Sequence, residues 1–159
     1  MNKKKNLTIK ETFAAASHNH QKNNFQVAEK LYNEILKKNP NHFQSNFLLG
    51  TLSAQTKKFD IAKQLLNKAT KIDPSHMDAH NNLGNVLKEL REHQEAISCY
   101  EKAIQINPNY AEAHNNLGNV FIELGEHQKA KSSYEKSIQI KPNYAEAHNN
   151  RGILFKAVG

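Results

Sequence analysis

Asparagine recurs in this chain in a pattern that could do chemistry. Asn81, Asn82 and Asn85 are followed one repeat length on by Asn115, Asn116 and Asn119, and again by Asn149 and Asn150. A carboxamide donates through its N–H groups and accepts through its oxygen, so it can pair with both the N–H and the C=O of a peptide bond. Set at regular intervals, such amides can hold an extended chain by its backbone and tolerate its sequence. The plainer alternative is that Asn is a soluble residue, copied by duplication whether used or not.

Other reactive residue types offer less. The chain has nine His, of which His80, His114 and His148 recur in register, as do His93 and His127. Equivalent neighbouring helices lie on the order of 10 Å apart. Two such His cannot share one zinc at about 2 Å per bond. His18 and His20 stand two apart on an expected helix and face different ways. These His read as partly buried packing residues, and no metal is expected. There is no Gly-rich phosphate loop, no nucleophile beside a positioned base, and no carboxylate pair outside the repeating pattern. Neither catalysis nor a cofactor is expected. The single cysteine, Cys99, excludes an internal disulfide framework and reads as a small apolar helix residue.

The elements that position these residues follow from internal repetition. Residues 77–110 and 111–144 align without a gap and are identical at more than two thirds of their positions. The same 34-residue frame extends back over 43–76 through Leu49, Gly50, Ala62, Leu66, Ala69 and Pro74. It reaches 9–42 through Ala16, Ala28, Tyr32, Ile35 and Pro40, and 145–159 begin a fifth repeat with its first helix only. Leu83, Gly84 and Leu87, then Ala96, Tyr100 and Ala103, fall at helical spacing. Gly84 with Ala96, and Gly118 with Ala130, predict close approach of two helices in a hairpin. Tyr100 and Tyr134 are expected to fill the space between repeats.

Pro40, Pro74, Pro108 and Pro142 each end a helical stretch. Asn41, Ser75, Asn109 and Asn143 then read as N-caps, with Gln44, Asp78, Glu112 and Glu146 as capping-box partners. Thr8 and Glu11 make the same pair at the start. First helices are predicted near 9–22, 43–56, 77–90, 111–124 and 145–158, and second helices near 26–38, 60–72, 94–106 and 128–140. The fold class is all-α, with residues 1–159 forming one domain.

This pattern resembles the tetratricopeptide repeat, whose signature places Leu-Gly, Tyr, Ala, a large aromatic and Pro at fixed offsets. Leu83-Gly84, Ala96, Tyr100 and Pro108, and their counterparts Leu117-Gly118, Ala130, Tyr134 and Pro142, carry the match. The wording AEAHNNLGNV and YEKAIQI is similar to repeats of bacterial scaffolds and of O-linked N-acetylglucosamine transferases. There are departures. Thr12, Asn46, His80, His114 and His148 replace an aromatic, Asn19 and Ser53 replace Tyr, and Arg151 replaces Leu.

The resemblance implies a right-handed superhelical solenoid of antiparallel helix pairs, with the first helices lining a concave groove. Asn81, Asn82, Asn85, Asn115, Asn116, Asn119, Asn149 and Asn150 then form the candidate peptide-binding set, while Phe13 and Phe47 either anchor a side chain or cover the end of the stack. The similar transferases hold substrate polypeptide on such a ladder. A protein-interaction scaffold that binds a polypeptide segment in the groove is the expected function. The alternative is the amino-terminal, substrate-selecting region of a larger enzyme such as a glycosyltransferase. Family members that clamp a chaperone's terminal carboxylate need Lys or Arg at set groove positions. Here those positions turn from Lys10 to Gln44 and then to acids, so such a clamp is not expected.

The net charge of +7 is uneven. Residues 1–42 carry eight Lys against three Glu and 43–76 five Lys against two Asp, whereas 77–110 are net acidic and 111–144 balance. The basic half reads as a solvated Lys-rich surface, or as one that attracts an acidic partner. Strict register and a neutral groove argue against RNA binding, so no nucleic-acid partner is expected. No run approaches the roughly 18 apolar residues of a membrane helix, and Lys10 and Glu11 break any signal-like stretch. A cytoplasmic protein is expected, with the terminal half-repeat as a candidate surface for self-association.

Overall fold

The computed structural model describes residues 7–158, without the side chains of 157 and 158. Lys3–Lys5 of the basic opening and the side chain of Val158, expected to lack a partner, lie outside the described residues. Among the described residues are nine helices and no strand. They are α1 (Ile9–Gln21), α2 (Phe25–Lys38), α3 (Phe43–Gln55), α4 (Phe59–Ile72), α5 (Met77–Glu89), α6 (His93–Ile106), α7 (Ala111–Glu123), α8 (His127–Ile140) and α9 (Ala145–Val158). Each boundary falls within one residue of that predicted.

The chain divides into two compact units, Met1–Pro74 with α1–α4 and Ser75–Gly159 with α5–α9. In the first unit α1 pairs with α2 and α3 with α4, and α2 packs on α3. In the second, α5 pairs with α6 and α7 with α8, α6 packs on α7, and α9 lies on α8 and touches α7. Each unit is a stack of helical hairpins, the arrangement of an all-α solenoid.

Small residues let the helices of a hairpin approach. Ala28, Ala62, Ala96 and Ala130 are fully buried on the second helices. A Cβ added at Gly84 would stand 2.7 Å from the Tyr100 ring, and one at Gly118 2.5 Å from the Tyr134 ring. The rings expected between repeats therefore lie over the glycine of their own hairpin. Glycine leaves a hole beside the axis, and the ring fills it.

The turn from first to second helix needs one left-handed residue. Asn23, Lys57 and Arg91 adopt it without being glycine, and only the fourth hairpin uses Gly125. Each turn closes with a bond back across it: Asn24 N–H to Asn19 O, Lys58 to Ser53, Glu92 to Leu87 and Glu126 to Phe121. This is the Schellman pattern, which satisfies carbonyls left open at a helix end.

The cap assignments need correction. Thr8 and Glu11 do form a capping box. At α3 and α5, however, the N-caps are His42 and His76, whose Nδ1 atoms accept from the Ser45 and Ala79 N–H groups. At α7 it is Tyr110, which makes no side-chain cap. The Asn41 and Asn109 backbones are instead held by the side chains of Asn39 and Asn107, at 3.2 and 3.1 Å. These turns around Pro move the N-cap one residue on from the expected Asn41, Ser75 and Asn109, while the helices start where predicted. The expected capping carboxylates are then free to reach residues about thirty positions away, two at the end of their own repeat and one in the preceding repeat. Asp78 accepts from Tyr110 Oη at 2.7 Å, Glu112 pairs with Lys141 at 2.9 Å, and Glu146 accepts from Asn115 at 2.9 Å.

Three of the polar residues that replace the expected aromatic share a task, while Thr12 donates to Thr8 O at 2.8 Å. Asn46 Nδ2 donates to Pro40 O at 3.0 Å, His114 Nε2 to Pro108 O at 3.2 Å and His148 Nε2 to Pro142 O at 2.8 Å. Each ties the middle of a first turn to the proline that ends the preceding helix. Burial holds the His114 imidazole below the usual histidine range.

Candidate functional site

The first helices of the second unit, α5, α7 and α9, carry the whole predicted asparagine set. The structure divides it into two groups with different work. Asn81 and Asn115 are buried, at 6% and 0% exposure. Asn116 Nδ2 donates to Asn81 Oδ1 at 3.1 Å, and Asn150 Nδ2 donates to Asn115 Oδ1 at 3.1 Å. Asn115 also donates to Glu146 Oε1 at 2.9 Å. This inner row joins each first helix to the next. Buried amides require such partners, because an unmet one costs about 1–3 kcal/mol.

The outer row is half-exposed: Asn82, Asn85, Asn116, Asn119 and Asn150, with Asn149 exposed beside it. Tyr100 Oη donates to Asn85 Oδ1 at 2.7 Å, and Tyr134 Oη donates to Asn119 Oδ1 at 2.8 Å. Asn150 adds a second bond to the Asn119 oxygen at 3.0 Å. The amide oxygens at 85 and 119 are thus occupied from within the protein. Among the described residues nothing accepts from their Nδ2 atoms, so these donors are unused within the described protein. Burial pushes the Tyr134 hydroxyl up to about 12, which keeps it protonated and donating throughout the ordinary pH range.

A cleft of about 370 Å³ opens beside this row, lined by Lys88, Asn119, Ile122, Tyr134, Asn150 and Ile153 among others. Its apolar wall is Ile122 and Ile153, the latter 59% exposed. A cleft of this size falls within the roughly 300–1,000 Å³ range of ligand sites, with an apolar lining and a few convergent polar groups. Lys88 forms a 3.4 Å pair with Glu89 at one edge.

Sequence reasoning picked the asparagines but missed Lys88, Ile122 and the orienting tyrosines. A signal was present, because Asn85 and Tyr100 recur together as Asn119 and Tyr134, always fifteen residues apart. The predicted Phe13 and Phe47 lie in the first unit. Phe13 packs near Tyr32 and His42, at ring distances of 6.1 and 5.4 Å, and Phe47 stacks on Phe43 at 6.0 Å. The Cys99 thiol is pushed up to about 11 by burial and so stays protonated at neutral pH.

Comparison with known proteins accords with this architecture. A family model described as a tetratricopeptide repeat matches residues 84–125 and 118–159, and one described as anaphase-promoting complex, cyclosome, subunit 3 matches 18–103. No curated protein sequence matches significantly. Among solved structures, MamA is similar at 30% identity and TM-score 0.86, over 93% of this chain and 81% of that one. YrrB, described as a TPR protein with an unusual peptide-binding site, is similar at 21% identity and TM-score 0.80, over 94% of this chain and 77% of that one. The first TPR of Spaghetti (RPAP3), solved with an HSP90 peptide, is similar at 23% identity and TM-score 0.70, over 73% and 92%.

Proposed function

This chain belongs to the tetratricopeptide-repeat family, and we propose that it is a non-catalytic scaffold whose second unit holds an extended polypeptide along α5, α7 and α9. The observation that carries this reading is the orientation of Asn85 and Asn119. Each gives its oxygen to a tyrosine of its own hairpin and turns an unused N–H donor outward. Neighbouring first helices lie on the order of 8–10 Å apart. An extended chain rises about 3.3 Å per residue, so backbone carbonyls about three residues apart can meet successive donors. The cleft between Ile122 and Ile153 takes one apolar side chain of the same segment. Asn82, Asn116, Asn149 and Asn150 complete the row, and Asn81 and Asn115 keep it in register.

No described helix is long and apolar enough to cross a membrane. We place the protein in the cytoplasm, acting on polypeptide and not on nucleic acid. Self-association through 145–159 is a second, weaker use of its surface.

Replacing Asn85 and Asn119 together by Asp tests the reading cleanly. Asp retains the oxygen that each tyrosine needs and removes the amide donor. On an array of random unstructured peptides, wild type should bind segments that share an apolar residue and little else. The double variant should lose at least about tenfold, or 1.4 kcal/mol, with unchanged circular dichroism. Equal binding by both proteins would move the site off the asparagine row.

A further inference from the structure

The first unit contains a second cleft, of about 370 Å³, where α2, α3 and α4 meet. Its walls are Leu36, Leu49, Ile61 and Leu65, and Ser53 lies at its base. Ser53 is only 1% exposed, and its hydroxyl is buried without a hydrogen-bond partner among the described residues. A helical hydroxyl ordinarily bonds to the carbonyl one turn back. Thr51 and Ser133 do so, to Phe47 and Lys129, both at 2.9 Å. Ser53 leaves that option unused.

The equivalent place in the second unit shows what fits. There Phe121 stands where α3 has Ser53, buried to 9% exposure, with Lys129 Nζ 5.3 Å above its ring. The residue that matches Lys129 in the first unit is Ile61, 47% exposed at the mouth of the cleft. At this register the first unit therefore has a serine in place of the ring, an apolar lip in place of the cation, and an unmet hydroxyl beneath the cleft. Asn46 spends both amide hydrogens on Pro40 O and His42 O, each at 3.0 Å, and its oxygen meets no donor among the described residues.

Charge narrows the occupant. Glu29 at the rim is neutralised by Lys58 at 2.8 Å, whereas Lys68, also at the rim, has no ion-pair partner among the described residues. Residues 1–76 are strongly basic as a whole. We infer that the α2–α3–α4 cleft is a socket for the phenol ring of a tyrosine carried on an acidic polypeptide segment, its hydroxyl bonding to Ser53. The ring takes the place that Phe121 fills from within the chain, acidic neighbours meet Lys68, and the Asn46 oxygen accepts a backbone N–H from the segment. This site is independent of the asparagine row and stands or falls without it.

The test uses the full chain and the probe acetyl-Asp-Tyr-Asp-amide, followed by amide NMR. Shifts should concentrate in α2, α3 and α4, and a Phe probe of the same form should bind at least about fivefold more weakly. Ser53→Phe, which supplies the missing ring, should abolish these shifts. Ser53→Ala, which keeps the cavity and removes the hydroxyl, should bring the Tyr probe down to the affinity of the Phe probe. The inference is overturned if no α2–α4 signal moves at 10 mM probe, on the order of the weakest useful affinities. It is equally overturned if Ser53→Ala leaves the preference for Tyr intact, or if a folded Ser53→Phe still binds.

Discussion

The hairpins α3–α4 and α7–α8 share one plan and differ in what fills it. In α7–α8 an aromatic, Phe121, closes the groove, and Tyr134 reaches over Gly118 to orient Asn119. In α3–α4 the corresponding residues are Ser53, Leu66 and Thr51, so the groove stays open. No phenol is available at Leu66 to orient a polar row, and Thr51 bonds back to Phe47 of its own helix. The first hairpin is intermediate, since Tyr32 meets Ser17 only at 3.5 Å. A repeated backbone thus carries two different surfaces: a polar row on one side of the second unit, and an apolar socket in the first. One or two side chains per repeat decide which surface appears.

The most severe way to break this comparison is to open the closed groove. Phe121→Ser should cost about 3–5 kcal/mol, the usual loss for truncating a large buried ring, read as a lower urea midpoint. The reciprocal Ser53→Phe should stabilise by about 0.5–2 kcal/mol as a cavity-filling change. A lower melting temperature for that variant would show that the two grooves are not equivalent in shape.

Glycine gives the next contrast. Gly118→Ala forces a methyl into the Tyr134 ring and should cost about 1–3 kcal/mol. Gly152 stands in the same register on α9, with no described residue within 4 Å of an added Cβ. Gly152→Ala should therefore stabilise by about 1 kcal/mol through helix propensity alone. Thermal melts of the two variants should move in opposite directions.

At the turns, Gly125 has φ +73° and open space around an added Cβ. Gly125→Ala should cost about 1 kcal/mol from backbone strain, and Lys57→Gly should be neutral to slightly stabilising. A lower melting temperature for Gly125→Ala, beside no loss for Lys57→Gly, would reduce the difference between these turns to the backbone conformation alone.

The smallest effect concerns pH. Burial lowers the His114 pKa in the fold, so the unfolded chain binds the extra proton first. The stability contributed by neutral His114 is fully present above about pH 6.5, the unfolded value. It declines as pH falls from there through the folded value. In urea titrations His114→Gln should show a shallower loss of stability than wild type between pH 7 and 5, because its amide still donates to Pro108 without titrating.

The repeat frame and helix bounds were legible in the sequence because Gly, Ala and Pro encode local geometry. Gly84 and Gly118 mark ring contacts, and Pro40, Pro74, Pro108 and Pro142 mark stops. The sequence alone determined the all-α hairpin plan, the location of the carboxamides on first helices, and the uneven charge. It did not determine which polar groups face which partners, because those depend on contacts between residues some thirty positions apart. Asp78, Glu112 and Glu146 look like helix caps from spacing, yet they bond to Tyr110, Lys141 and Asn115. Nor does a list of eight asparagines reveal that Asn81 and Asn115 turn inward while Asn85 and Asn119 turn a donor outward. Ser53 in place of an aromatic was visible in the sequence as a departure. Only packing against α2 and α4 made it an open cleft, because a missing ring becomes a cavity when its neighbours are too rigid to close over it.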